Sequence, residues 1–190
     1  GLRPNIGIRG ASSDRSAKLA LMEDGILFGP APYSAPAAYY FPLMNRVTGV
    51  EVFKGPASIR NGPNTIGGAI NFVSRPVPTA TLGSFDAAFG LNKAMKLHGG
   101  FDRNDIICKL QWHSAVEAEV YQQLQLTVGY SDEVSNETYL GLTREDYEVT
   151  PLRRYAASAL DQMRWWRTQV NLTYAVSTNS LDVRVTAYRH

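Results

Sequence analysis

Gly49-Val50-Glu51-Val52-Phe53-Lys54-Gly55-Pro56-Ala57, followed after a short gap by Gly67-Gly68-Ala69-Ile70-Asn71-Phe72-Val73, is the stretch on which the fold turns. Each half sets a brief apolar run among glycine and proline. Upstream, Leu19-Ala20-Leu21-Met22 is a third such run, and Asp24-Gly25 and Asn61-Gly62 are dipeptides that accept positive φ in tight turns. The pattern predicts a compact α+β unit of short strands and much ordered loop. Pro76 and Pro78 mark its end, because proline stops strand pairing and stiffens a link.

Composition narrows the class. The chain has 190 residues, 19 Lys and Arg against 17 Asp and Glu, and a net charge of +2. Hydrophobic residues make up 44% and charged residues 19%, enough apolar matter for a core, which argues against disorder. Balanced charge without a block of one sign argues against a nucleic-acid partner. A single cysteine, Cys108, excludes an internal disulfide and a cysteine-based zinc site. No apolar run is long enough for a transmembrane helix. The opening Gly1-Leu2-Arg3-Pro4-Asn5 has no charged-then-apolar leader and reads as cut from something longer.

Beyond Pro78 the sequence alternates. Ile106, Cys108, Leu110 and Trp112 are interleaved with Lys109, Gln111 and His113, and Leu124, Leu126, Val128 and Tyr130 with Gln123, Gln125, Thr127 and Gly129. Trp166, Val170, Leu172, Tyr174 and Val176 form a third set, and Leu181, Val183, Val185 and Ala187 a fourth. Period 2 over about ten residues predicts strands with one apolar and one polar face. The connections Ser114–Val120 and Ser177–Ser180 are short, whereas Asp132–Arg164 is polar and 33 residues long. A soluble sandwich and an outer-membrane barrel share this alternation. The short–long–short order favours the barrel, as do aromatics at the strand ends (Tyr121, Tyr130, Trp165, Trp166, Tyr174).

Four motifs in series carry a resemblance: Ile8-Arg9-Gly10, Leu21-Met22-Glu23-Asp24-Gly25-Ile26, Gly49 to Ala57, and Gly67 to Val73. In order and spacing they resemble the plug domain of TonB-dependent outer-membrane receptors. Pro30-Ala31-Pro32-Tyr33-Ser34, Tyr40-Phe41-Pro42, Gly129 to Glu133, Thr138 to Thr143 and Arg153 to Ser158 are similar to the ferric dicitrate branch. The resemblance implies residues 1–78 as the C-terminal part of the plug and 79–190 as the first strands of the transmembrane β-barrel. The fold class is then an α+β plug followed by antiparallel barrel strands, an incomplete 22-stranded plugged barrel. The 112 residues after Pro78 supply about five strands at roughly ten residues per crossing.

The implied activity is uptake of a ferric chelate, iron citrate or another siderophore, through the bacterial outer membrane and not catalysis. Implied partners are TonB with its inner-membrane energising complex, reached through a segment upstream of residue 1, and outer-membrane lipid. The chelate is cargo; no resident cofactor or metal is implied. Alternatives are a signalling or surface-binding relic without transport, or a truncated fragment without function. Strand parity adds an expectation. With Leu82–Leu91 and Tyr121–Ser131 running outward and Asp105–His113 inward, an even number of strands must lie between Leu91 and Asp105. The family has two there, so the short Asn92–Asn104 suggests a deletion near Gly99-Gly100, and a lone strand at Met95–Phe101 is disfavoured.

The resemblance also places candidate sites. Arg9 and Lys54 occupy plug positions that pair with acids on the barrel wall, a latch between plug and barrel; a local hydrogen bond or an exposed charge is the plainer alternative. Gly29–Pro42 corresponds to an apical loop, where Tyr33, Ser34, Tyr39 and Tyr40 either meet the chelate or pack the plug. In the long loop, Thr150-Pro151 predicts an N-cap and first turn of a helix running to about Met163. Arg153 and Arg154 there suit an anionic chelate, since arginine offers a fork to carboxylates, unless Glu145, Asp146, Glu148 or Asp161 neutralise them.

Other chemistry finds no footing in the residues. Gly62 to Gly68 lacks the Gly-Lys-Ser/Thr of a phosphate loop, so its glycines read as turns and close packing. His98, His113 and His190 stand apart without ligand spacing, and no Gly-x-Ser-x-Gly elbow occurs. Cys108, on an apolar strand face, reads as a small hydrophobe.

Overall fold

The computed structural model describes residues 4–11, 14–28, 36–37, 39–77, 100–136, 141–151, 153 and 155–190. The chain divides into Gly1–Pro76 and Val77–His190, two residues ahead of the boundary read from the prolines.

In the first unit each apolar run becomes a strand: β1 (Leu19–Glu23), β2 (Ile26–Leu27), β3 (Val47–Phe53) and β4 (Gly68–Ser74). They form one sheet in the order β2-β1-β4-β3. β1 runs parallel to β4, from Leu19 opposite Gly68 to Glu23 opposite Phe72, and β3 is antiparallel to β4. Central β1 is buried along its whole length, which is why its sequence is a continuous apolar run rather than an alternating one. Asp24 and Gly25 take φ of 52° and 81° to return the chain into β2, the left-handed turn that this dipeptide tolerates.

Helical structure in this unit differs from the α+β expectation: among the described residues it consists of short 3-10 segments at Asp14–Ser16, Met44–Arg46 and Gly55–Asn61. These stretches are too brief and too interrupted by proline and glycine to repay α-helix nucleation. One face of the sheet carries Phe28, Phe41 and Phe72, with Phe41 meeting Phe28 at 5.9 Å and Phe72 at 5.0 Å, both edge to face. Such pairs add about 0.5–1.5 kcal/mol each beyond burial. Ala20, Met22 and Ala69 fill the other face, against Leu27 and Phe53.

The second unit is an antiparallel sheet in simple order: β5 (Gly100–His113), β6 (Tyr121–Asn136), β7 (Gln162–Ser177) and β8 (Asp182–Arg189). The register is unbroken from Tyr121 opposite Ser177 to Asn136 opposite Gln162. Four strands are thus described where five were expected; Leu82–Leu91 and Asn92–Gly99, with the suggested deletion, lie outside the described residues.

Two boundaries need correction. The strands flanking the long connection continue to Asn136 and resume at Gln162, so 132–136 and 162–164 belong to strands. Alternation fades there because Asp132–Asn136 carries polar groups on both faces and Gln162–Arg164 holds a single apolar residue, Met163, while the backbone ladder continues regardless of side-chain polarity. Nor does a helix run from Thr150 to Met163. The helix α1 is Arg144–Val149, with Thr143 as N-cap, its side chain accepting from the Asp146 N–H, and Thr150 as C-cap. Thr143 competes successfully because its turn places two acids, Glu145 and Asp146, at the positive end of the helix. Among the described residues that follow, the Arg153 N–H bonds the Thr150 carbonyl and a 3-10 turn at Ala156–Ser158 precedes β7.

Candidate functional site

The glycines of the quoted stretch bring its motifs together. A Cβ on Gly68, which has φ of 131°, would lie 2.6 Å from the Phe53 carbonyl oxygen and 3.2 Å from Ile8 Cδ1. One on Gly67 would meet Leu19 Cδ2 at 2.8 Å and Ala11 Cβ at 3.3 Å. The glycine pair therefore lets the Ile8–Ala11 turn and the end of β3 close on the start of β4. Arg9 and Lys54 follow directly on Ile8 and Phe53, and both are exposed. Arg9 holds φ of 52° in its turn. The two cations are presented from adjoining backbone segments.

Of the apical residues, Tyr33 and Ser34 lie outside the described residues. Tyr39 is exposed, whereas Tyr40 is buried. The Tyr40 hydroxyl donates to Glu23 Oε2 at 2.6 Å and accepts from Arg46, whose Nη2 is 2.7 Å from Glu23 Oε1. Its ring packs edge to face on Phe28 at 5.5 Å. The two neighbouring tyrosines thus differ in exposure, and Tyr40 is buried against Glu23. Sequence reading missed Glu23 and Arg46; the signal was a lone carboxylate closing the apolar run Leu19–Met22.

Arg154 also lies outside the described residues. Arg153 is bonded to Asp146, with its guanidinium 5.5 Å from the Tyr155 ring centroid. Asp146 is the hub of the loop: it accepts from the Tyr155 hydroxyl at 2.6 Å, and that same hydroxyl accepts from the Thr143 N–H at 3.1 Å. The hydrogen bond from Tyr155, then the Arg153 charge, hold the Asp146 carboxyl below the usual carboxylate range. Asp146 thus neutralises Arg153 in this state, as the sequence allowed.

The second unit inverts the usual rule of polarity. Ile106, Leu110, Trp112, Leu124, Val128, Tyr130, Trp166, Val170, Leu172, Tyr174, Val183 and Val185 are all exposed. They fall in cross-strand rows: Cys108–Val128–Val170, Leu110–Leu126–Leu172–Ala187 and Trp112–Leu124–Tyr174–Val185. Trp112 and Tyr174 close the belt at the short-turn end, Tyr130 and Trp166 at the long-loop end. From Trp166 to Tyr174 the belt runs about 27 Å along the strand at ~3.4 Å per residue.

The opposite face is polar and buried, carrying Thr127, Ser131, Glu133, Ser135, Gln169 and Asn171. At its long-loop end Arg103 lies 2.8 Å from Asp105 and 3.9 Å from Glu133, and 5.3 Å over the Trp165 ring. Water does not favour a sheet that exposes its aliphatic face and buries its charges; hydrocarbon does.

Residues 1–69 match the family described as TonB-dependent Receptor Plug Domain, and they take in all four motifs up to Ala69. Over that stretch the chain is similar to a TonB-dependent receptor plug domain. The plug family marks a receptor or transporter rather than an enzyme, with TonB as the general partner. No solved structure matches the chain. The strands of the second unit are antiparallel throughout its described part.

Proposed function

We propose that the chain belongs to a receptor in the bacterial outer membrane that takes up a ferric chelate, iron citrate or another siderophore, by TonB-driven rearrangement of its plug. The observation that carries the reading is the plug match at residues 1–69 beside a sheet with an apolar exposed face and a polar buried one. In this reading the strands of 79–190 open a 22-stranded barrel, their belt faces outer-membrane lipid, and the plug gates the lumen. TonB and its inner-membrane complex supply the energy from the periplasmic side.

The roles of single residues follow from their chemistry. Exposed Arg9 and Lys54 latch the plug to acids on the barrel wall, since a cation carried into a lumen must be paired. Tyr39, with Tyr33 and Ser34, meets the chelate, and Tyr40 backs it from within. Arg153 and Arg154 draw in an anionic chelate, whose carboxylates compete with Asp146 for the Arg153 fork. The similarity of Gly129 to Glu133 and Thr138 to Thr143 to the dicitrate branch supports ferric citrate as the first ligand to try.

The test is fractionation followed by binding. The product is expected in the outer-membrane fraction, migrating differently on a gel before and after heating, and binding ferric citrate saturably. A product that is absent from the membrane, or that shows no heat-dependent shift, removes the transport reading.

A further inference from the structure

Glu23 is the single carboxylate on the fully buried strand β1 and is 5% exposed. A buried charge costs more than an apolar residue of the same size unless it is paired and hydrogen-bonded. Here the pairing is complete. Arg46 holds Oε1 through Nε at 2.9 Å and Nη2 at 2.7 Å, Tyr40 donates to Oε2 at 2.6 Å, and Arg46 also bonds the Tyr40 hydroxyl. Three side chains close a ring of charge-assisted hydrogen bonds.

The ring ties the Tyr40 stretch, which lies outside the strands, to β1 and to the residue that enters β3. On one side, Tyr40 follows residues 36–39, where the Ala37 N–H donates to the Arg15 carbonyl at 3.3 Å. On the other, the Arg46 carbonyl accepts from the Arg75 N–H at 3.0 Å. Next to Glu23, Asp24 accepts from the Ser74 N–H at 2.8 Å and from its hydroxyl at 2.6 Å. Arg46 therefore grips Glu23 with its side chain and the last residues before Pro76 with its main chain.

We propose that Tyr40, Glu23 and Arg46 form a coupling clasp that positions the segment around Tyr39 and ties its position to Arg75, at the end of the first unit. Glu23 and Arg46 are positioning residues: they set the place of Tyr40 and so the presentation of exposed Tyr39. A displacement at Tyr39 reaches Arg75 through the ring and the Arg46–Arg75 backbone bond at the end of the β3–β4 pair. The consequence for chelate binding rests on the receptor reading above; the coupling itself does not.

The experiment is amide hydrogen exchange on the intact protein in detergent, wild type against Tyr40→Phe, with Glu23→Gln as a second variant. Tyr40→Phe keeps the ring packed on Phe28 and removes only the hydroxyl. The expected result is about tenfold faster exchange at Ala37, Arg46 and Arg75 in both variants, with Ala69–Val73 unchanged. Equal exchange in wild type and variants overturns the clasp. So does a uniform rise across β1 and β4, which would mean a general loss of packing. Ferric citrate titration of the same samples separates the two readings, with affinity expected to fall about tenfold in Tyr40→Phe. If wild type binds no ferric citrate while the exchange pattern holds, the ligand falls and the coupling stands.

Discussion

The Arg103 guanidinium lies 2.8 Å from the Asp105 carboxylate, two residues along the same strand, and both side chains are only 2% exposed. Glu133, directly opposite Arg103 on β6, adds a second buried carboxylate at 3.9 Å. A cation shared by two buried acids cannot be removed without leaving charge uncompensated. Arg103→Leu is expected to destabilise the protein by about 3–5 kcal/mol, measured by urea unfolding after refolding into bilayers. A double-mutant cycle with Asp105→Asn should show a coupling of about 1 kcal/mol or more; strict additivity would deny the pair.

The exposed apolar belt makes a second prediction. Val128 sits in the middle of a row between Cys108 and Val170 and is exposed. Val128→Arg should cost about 2–4 kcal/mol if that face meets hydrocarbon near the bilayer centre. Gln122→Arg, on the same face but beyond the belt, should cost about 1 kcal/mol or less. Equal tolerance of both, read as folded yield in lipid vesicles, would place the face in water.

Gly68 is expected to be intolerant of any side chain. Gly68→Ala must push a methyl group into the Phe53 carbonyl while holding φ of 131°, and should cost on the order of 3 kcal/mol. Gly25→Ala, with φ of 81° but open space around its Cβ, should lose only about 1 kcal/mol. The readout is the protease resistance of the first unit in the purified protein, with Gly68→Ala cut faster than Gly25→Ala.

Asp146 makes the loop after β6 acid-sensitive in a defined direction. Its carboxyl titrates below the ordinary value in the folded loop, so its stabilisation is fully present above about pH 4 and is lost as pH falls through the lowered value. Because the Tyr155 hydroxyl is the largest cause, Tyr155→Phe should raise the titration midpoint of Asp146, followed by the chemical shift of its carboxyl carbon. An unmoved midpoint would assign the shift to Arg153 instead.

Much of this was legible before any coordinates. The apolar runs at Leu19–Met22, Val50–Phe53 and Ala69–Val73 became strands because short apolar stretches between turn formers have few other ways to bury themselves. The period-2 segments after Asp105 became β5 to β8 for the same reason, and their outward residues are those the alternation assigned to the apolar face. Ends were harder. Asp132–Asn136 carries polar groups on both faces and Gln162–Arg164 holds a single apolar residue, Met163, so hydropathy falls silent although the hydrogen-bond ladder goes on.

The sequence by itself determined the plug motifs, the strand periodicity and the side of each strand that is apolar, because these depend on neighbours within a few residues. Tertiary structure alone decided how charges are shared. Tyr39 and Tyr40 are identical in type and adjacent, yet Tyr39 is exposed while Tyr40 is buried on Glu23 and Arg46, from 17 and 6 residues away. Arg153 is neutralised by Asp146 because a helix starting at Thr143 brings them together. Such pairings arise where separate segments meet in low dielectric, where one hydrogen bond outweighs local preference, and no spacing in a single chain encodes them.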